Sequence, residues 1–283
     1  MTMIRSVTRV LSSMETSDGA GVRLRRAFGR DEAKELDPFL LLDHFGSNAP
    51  SEFRPGFPLH PHRGIETVTY ILAGEIHHRD SSGNTGVVNV GDVQWMTAGR
   101  GVMHEEMPQG KILNGFQLWV NLPRAMKMMA PRYNNILAND IGIARPSEGC
   151  EVKVIAGKFG GVEGPMRDLT IQVELFDVHM GPGAAFEHKV KAGINCFAYV
   201  YEGRPTFGPD PGRVGLDEHT VLFGEGDTIV AKAGRGAARF LFASGRPLRE
   251  PIAWGGPVVM NTDAEVEQAF KEIDQGIFIR EED

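Results

Sequence analysis

The chain repeats itself once. Gly91-Asp92 is followed by Ala98-Gly99-Arg100-Gly101, and Gly226-Asp227 is followed at the same interval by Ala233-Gly234-Arg235-Gly236. Upstream, Tyr70-Ile71-Leu72-Ala73-Gly74 has its counterpart in Tyr199-Val200-Tyr201-Glu202-Gly203, in both cases an apolar run ending in a glycine turn. A repeat close to half the chain far exceeds the roughly 20–50 residues of solenoid units, so it marks a duplicated domain rather than an array. The apolar runs are short, rich in Val, Ile, Phe and Tyr, and bounded by Gly, Asp, Asn or Pro, as in Ile65 to Leu72 and Ile171 to Val178. That pattern predicts strands, and the chain is expected to be all-β, built as two similar barrels.

A length of 283 residues suffices for two domains that each bury a core. The cluster Arg145, Pro146, Ser147 and Gly149, within Ile143 to Gly149, is the expected linker, which sets domains at 1–143 and 150–283. Two helices are predicted. Leu122 to Ala130, opening with Pro123 and closing before Pro131, reads as a short connector, and Thr262 with Glu265 forms a capping box for a C-terminal helix. In the latter, Val266, Phe270 and Ile273 share a face and Gly276 ends the helix, which is expected to pack on a barrel as an accessory element.

A net charge of −7 argues against broad nucleic-acid binding, which relies on Lys and Arg neutralising phosphates. Arg23, Arg25 and Arg26 alternate with Val22 and Leu24 and read as the solvated face of an edge strand. Cys150 and Cys196 form no disulfide framework and no zinc motif, which suits a reducing compartment. Met1 to Gly19 lacks an apolar signal core and no stretch approaches membrane-spanning length, so a cytoplasmic protein with no membrane association is expected.

The chemistry is concentrated in the first half. In His60-Pro61-His62 the two imidazoles are two residues apart, and on an extended backbone they face one side of the sheet. His104 and Glu106, just after the Gly99-Arg100-Gly101 turn, form a second pair of the same kind. Among 9 histidines a single close pair arises readily by chance, and a lone strand histidine usually bonds a carbonyl. Two such pairs, each beside a Gly or Pro turn, point together to a metal. The second copy supplies a control: Arg239 and Leu241 occupy the positions of His104 and Glu106, and only Glu187-His188 remains upstream, so the second barrel is expected to be metal-free. Three imidazoles and a carboxylate suit Fe(II), Mn, Ni, Co or Zn rather than Mg or Ca. Four protein ligands on an octahedral ion leave two places open, the mark of a reactive site.

Other motifs carry less. Gly99-Arg100-Gly101 lacks the ending of a phosphate loop, and no Gly-x-Ser-x-Gly elbow occurs. His77 and His78 beside Gly74 read as a surface pair, and His44 and His219 are assigned no chemistry, although His44 is placed where it could line a cavity.

With these residues in view the chain resembles the pirins, a family of the cupin superfamily. The resemblance rests on Asp37-Pro38-Phe39-Leu40-Leu41-Leu42-Asp43, His60-Pro61-His62-Arg63-Gly64 with Glu66-Thr67-Val68, the run from Gly91 to Gly101, Gln117-Leu118-Trp119-Val120-Asn121-Leu122, Gly224-Glu225-Gly226-Asp227, and Gly256-Pro257-Val258-Val259-Met260-Asn261-Thr262. It implies two tandem cupin-type antiparallel barrels of the jelly-roll kind with a C-terminal helix. It also implies one iron in the N-terminal barrel, held by His60, His62, His104 and Glu106. In cupins at large the carboxylate ligand follows the first histidine pair, where this chain has Glu66. Glu66 is therefore the competing ligand, with orientation of a ligand histidine as its expected role. The activity implied is that of a quercetin 2,3-dioxygenase, with a flavonol-like aromatic substrate, O2, and Glu106 as general base. The alternative is a non-enzymatic regulator whose metal oxidation state alters a surface that binds a transcription factor or a metabolic enzyme.

Overall fold

Strands carry nearly all of the regular structure in the computed structural model, which describes residues 2–81, 83–209 and 212–279. The chain is all-β, with two cupin-type antiparallel barrels and a single C-terminal helix among the described residues. Packing separates Glu15–Ala138, together with the C-terminal segment from Leu248, from the segment up to Met14 together with Asn139–Pro247. This differs from a simple division into 1–143 and 150–283. The strand Val7–Ser12 pairs with His219–Phe223 in the second unit, and the C-terminal helix belongs to the first. The expected linker is instead a hairpin: Gly142–Ser147 pairs with Cys150–Ala156, with Ser147 opposite Cys150 across a two-residue turn. Gly, Pro and Ser punctuate a tight hairpin as readily as a linker.

In the first unit two long strands, Ile65–Asp80 and Val102–Asn121, pair along their lengths, with register shifts between Ile71 and Glu75. Such bulges bend a strand so that it serves both ends of a barrel. Gly74 sits at this bend with φ +81°, and a Cβ there would lie 2.2 Å from the Ile112 carbonyl oxygen. The predicted turn at Gly74 is thus a bend within a continuing strand. Val93–Thr97 and Phe39–Ser47 flank the long pair, and Phe57–His62 is laid on Val102–Asn121. Val22–Phe28 lies between Phe39–Ser47 and Met14–Asp18, so it is not the edge strand expected. Arg23 and Arg25 do face out and pair with Glu15, but Arg26 turns to Asp43 with two contacts of 2.8 Å.

The second unit is organised around a seven-stranded sheet that includes Val173–Met180, Asn195–Glu202 and Ala238–Gly245. Its barrel is filled by Phe159, Phe176, Phe186, Phe207, Phe240 and Phe242 with aliphatic neighbours. The first unit differs, because it buries His62, Glu66, Thr69, His78, Asp80, His104 and Glu106. Charged and polar groups are rarely buried without a task, so this interior locates the site.

The predicted connector helix reduces to a single 3-10 turn, Arg124–Met126. Nine residues between two prolines are too few to sustain an isolated helix. Lys127 is drawn inward instead, its Nζ donating to the Gly64 carbonyl at 2.8 Å, Asn121 Oδ1 at 2.6 Å and the Val259 carbonyl at 2.8 Å. The C-terminal helix Asp263–Asp274 forms as predicted, with both bonds of the Thr262–Glu265 capping box in place and Gly276 at φ +70° just beyond its end. Val266 and Ile273 pack on Val258, Met260 and Phe278, while Phe270 is partly exposed. Among the described residues no helix is long and apolar enough to cross a membrane.

Candidate metal centre

Strand pairing assembles the site. Phe57–His62 runs antiparallel to Val102–Asn121 with His60 directly opposite His104. Along the second strand Val102, His104, Glu106 and Pro108 are buried and Met103, Glu105 and Met107 less so, so the period of two turns His104 and Glu106 inward. One nitrogen from each of His60, His62 and His104 lies within 4.8 Å of the others. Ring centroids are 4.4 Å apart for His60 and His104, 4.9 Å for His60 and His62, and 5.1 Å for His62 and His104.

The protonation of these rings tests the fit of a cation. His60 Nδ1 is 2.9 Å from the Pro58 carbonyl oxygen, and His62 Nδ1 is 3.3 Å from that of Pro257. A carbonyl only accepts, so each Nδ1 carries the proton and each Nε2 presents a lone pair. Those two Nε2 atoms face each other at 3.2 Å. His104 is 1% exposed, and neither of its ring nitrogens has a hydrogen-bond partner. Leaving a buried polar group unpaired costs about 1–3 kcal/mol. Burial, reinforced by the neighbouring histidines, holds His62 and His104 well below the ordinary imidazole value, in the neutral form that a metal requires. A divalent cation between the rings would engage all of these lone pairs, so the residues present fit one.

Glu106 stands beside the triad, outside the mutual 4.8 Å of the three nitrogens. Its Oε1 accepts from Thr69 Oγ1 and its Oε2 from Gln117 Nε2, each at 3.0 Å. A carboxylate has about four lone-pair sites, so two hydrogen bonds leave capacity for a cation or a proton. Glu66 is fully buried elsewhere in the barrel wall: Trp95 Nε1 donates to Oε2 at 3.0 Å, Thr97 Oγ1 to Oε1 at 2.8 Å, and Arg132 stands at 3.8 Å. It is not part of the histidine group.

His78, read from sequence as a surface residue, is buried. It lies opposite Glu106 in the ladder, next to Asp80 opposite His104, and its ring stacks on Tyr133 at 6.4 Å. Carrying the two-residue alternation past Gly74 would have found both, because Ile76, His78 and Asp80 share the inner face while His77 and Arg79 face out. His44 does not line the cavity. It packs on Phe116 and meets Asn114 Oδ1 at 3.1 Å, and burial pushes it down to about 4. In the second unit His188 meets Glu174 at 2.8 Å within a ring of phenylalanines, Arg239 pairs outward with Glu202, and Leu241 is buried.

His60 and His62 open onto a cavity of about 460 Å³ whose walls include Phe57, Gln117, Trp119, Trp254, Arg26 and Arg30. That volume lies in the range of small-molecule sites. Trp119 stands edge-on to His62 at 5.1 Å and donates through Nε1 to Gln117 Oε1 at 3.3 Å, so one amide links the aromatic wall to Glu106.

Two antiparallel barrels, one holding a buried histidine triad at the mouth of a cavity, define a cupin protein with a candidate mononuclear metal site. Residues 21–120 match the pirin family, and residues 175–279 match the pirin C-terminal cupin domain. A pirin-like protein of Caulobacter vibrioides is 42% identical over 97% of this chain and 99% of its own. Pirin of Homo sapiens is 42% identical over 94% of this chain and 91% of its own. Among solved structures, a quercetin 2,3-dioxygenase from Acinetobacter baumannii matches with a TM-score of 0.90 at 33% identity, covering 97% of this chain and 98% of that one. The chain belongs to the pirin family.

Proposed function

We propose that this pirin binds one divalent metal, Fe(II) in the working protein, on His60, His62, His104 and Glu106, and that it is a dioxygenase for flavonol-type aromatics. The observation that carries the reading is the pair of facing Nε2 atoms beside a buried, unpartnered His104, opening on an aromatic-walled cavity. The similarity to a quercetin 2,3-dioxygenase supports the choice of substrate class. Mn, Ni, Co and Zn are compatible with the same donor set.

When bound, the metal would supply Lewis acidity toward a substrate oxygen and redox chemistry toward O2. The chain's own part is positioning and proton transfer. Trp119, Trp254 and Phe57 flank a planar ring system and exclude water from it. Glu106 accepts the hydroxyl proton on a carboxylate oxygen, and the Gln117 and Thr69 hydrogen bonds hold that carboxylate in place while it does so. Loss of a general base typically lowers turnover by about 10²–10⁴-fold.

The test is anaerobic reconstitution with Fe(II), followed by oxygen uptake and product analysis with a panel of flavonols. Oxygen uptake dependent on flavonol, with Glu106→Gln reduced by about 100-fold or more, is the expected outcome. An iron-loaded protein that consumes no oxygen with any flavonol would remove the dioxygenase reading.

A further inference from the structure

The charges around the cavity are unequal in their partners. Of its two arginines, Arg26 is fully engaged: Nε and Nη2 meet the two Asp43 oxygens at 2.8 Å each, and Nη2 also meets Asp18 at 3.0 Å. Those two aspartates are the only carboxylates among the described residues of the lining, and both are held by Arg26. Arg30 lines the same cavity and is exposed, and among the described residues it has no carboxylate partner. Its guanidinium stands 6.0 Å from the centre of the Trp254 ring. Trp254 is itself pinned, donating from Nε1 to the Gly256 carbonyl at 2.7 Å, and its ring lies 5.9 Å from that of Trp119.

These contacts follow one another from the histidines to Arg30. His62 meets Trp119 at 5.1 Å, Trp119 meets Trp254 at 5.9 Å, and Trp254 meets Arg30 at 6.0 Å. An aromatic molecule lying along the two indoles with an oxygen at the histidine end brings its far end to a cation that neither lining aspartate contacts. Guanidinium recognises carboxylates, sulfates and phenolates with charge-assisted hydrogen bonds, and its planar fork suits a two-oxygen anion best.

We propose that Arg30 and Trp254 form an anion-selecting mouth, and that the favoured substrates are multi-ring aromatics with an oxygen donor at one end and a negative substituent at the other. The proposal rests on the cavity being the substrate site. It adds a preference within that site, for anionic over neutral aromatics of the same shape, and assigns it to one residue.

Two of the chain's three tryptophans, Trp119 and Trp254, line the cavity, so indole fluorescence reports on its occupancy. The probes are 6-hydroxy-2-naphthoate and 6-hydroxy-2-naphthamide, which match in shape and differ in charge at the end away from the hydroxyl. On the metal-loaded wild type the naphthoate should bind about two- to fivefold more tightly than the amide, the range for an exposed ionic contact. The preference should shrink with added salt. Arg30→Gln should bring the two affinities together while leaving the amide unchanged, and Arg30→Lys should keep part of the preference. An unchanged naphthoate-to-naphthamide ratio in Arg30→Gln overturns the anion-selecting mouth and leaves the cavity as substrate site intact. Failure of both probes to quench the wild-type indoles overturns the cavity reading as well.

Discussion

His104 concentrates the physics of the site in one side chain. A buried imidazole with two unpartnered nitrogens destabilises the metal-free barrel, and replacing such a group by an apolar one of similar bulk is often neutral or stabilising. His104→Leu should therefore give a metal-free protein at least as stable as the metal-free wild type, by about 0–2 kcal/mol in denaturant unfolding. It should also abolish the rise in Tm that added metal gives the wild type, because a ligand that binds only the native state stabilises by mass action. A large loss of metal-free stability in this variant would show that His104 has a packing role instead. His44 makes a separate prediction. Its native value is pushed down to about 4 from an unfolded value of 6.5, so below pH 6.5 the unfolded chain takes up a proton that the native chain refuses. Stability from this group is complete above pH 6.5 and falls as the pH drops toward 4. Between pH 7 and pH 5 the wild type should lose about 1 kcal/mol more than His44→Gln in parallel urea titrations, a figure reduced from the full linkage value because the residue keeps some solvent exposure.

The element that holds the site in register is the C-terminal segment. The Pro257 carbonyl orients His62, Val259 N–H donates to the Arg63 carbonyl at 3.0 Å, and a Cβ on Gly64 would come within 2.0 Å of the Val259 carbonyl oxygen. Arg63 is buried against Glu272 of the helix at 2.7 Å and lies 4.2 Å from the Phe278 ring centre. Breaking a buried ion pair from one side leaves an uncompensated charge and costs about 3–5 kcal/mol. Glu272→Ala should lower stability by about that amount and weaken metal binding, measured by calorimetric titration, although Glu272 touches no proposed ligand. The paired change Arg63→Met with Glu272→Leu should recover most of the stability, since it removes both charges together. At this scale the sequence was legible wherever a local rule operated alone. The two-residue spacing of His60 with His62 and of His104 with Glu106, and the Thr262–Glu265 box, could be read directly from the residues. It was illegible where a local signal had two structural meanings. Gly74 reads as a turn and is a bend in a continuing strand, which hid His78 and Asp80. Ile143 to Gly149 reads as a linker and belongs to a hairpin, and Leu122 to Ala130 has helical composition but folds around the buried ammonium of Lys127.

Across the whole molecule, duplication kept a scaffold and changed its filling. The Gly-Asp and Gly-Arg-Gly segments recur in both halves, whereas the first barrel holds three histidines and two glutamates where the second holds a set of phenylalanines around His188. That contrast could be read from aligned positions within one chain. The placement of the termini could not, because the pairing of Val7–Ser12 with His219–Phe223 joins residues more than two hundred apart and leaves no trace in local pattern. Nor did the sequence announce the cavity wall, since Arg30, Trp119 and Trp254 come from three separated segments. The chemistry proposed for this pirin requires one ion at one place. Anomalous diffraction from an Fe(II)-loaded crystal, recorded at the iron edge, should give a single peak per chain within coordinating distance of His60, His62, His104 and Glu106. No peak there, or a peak elsewhere in the chain, would contradict it.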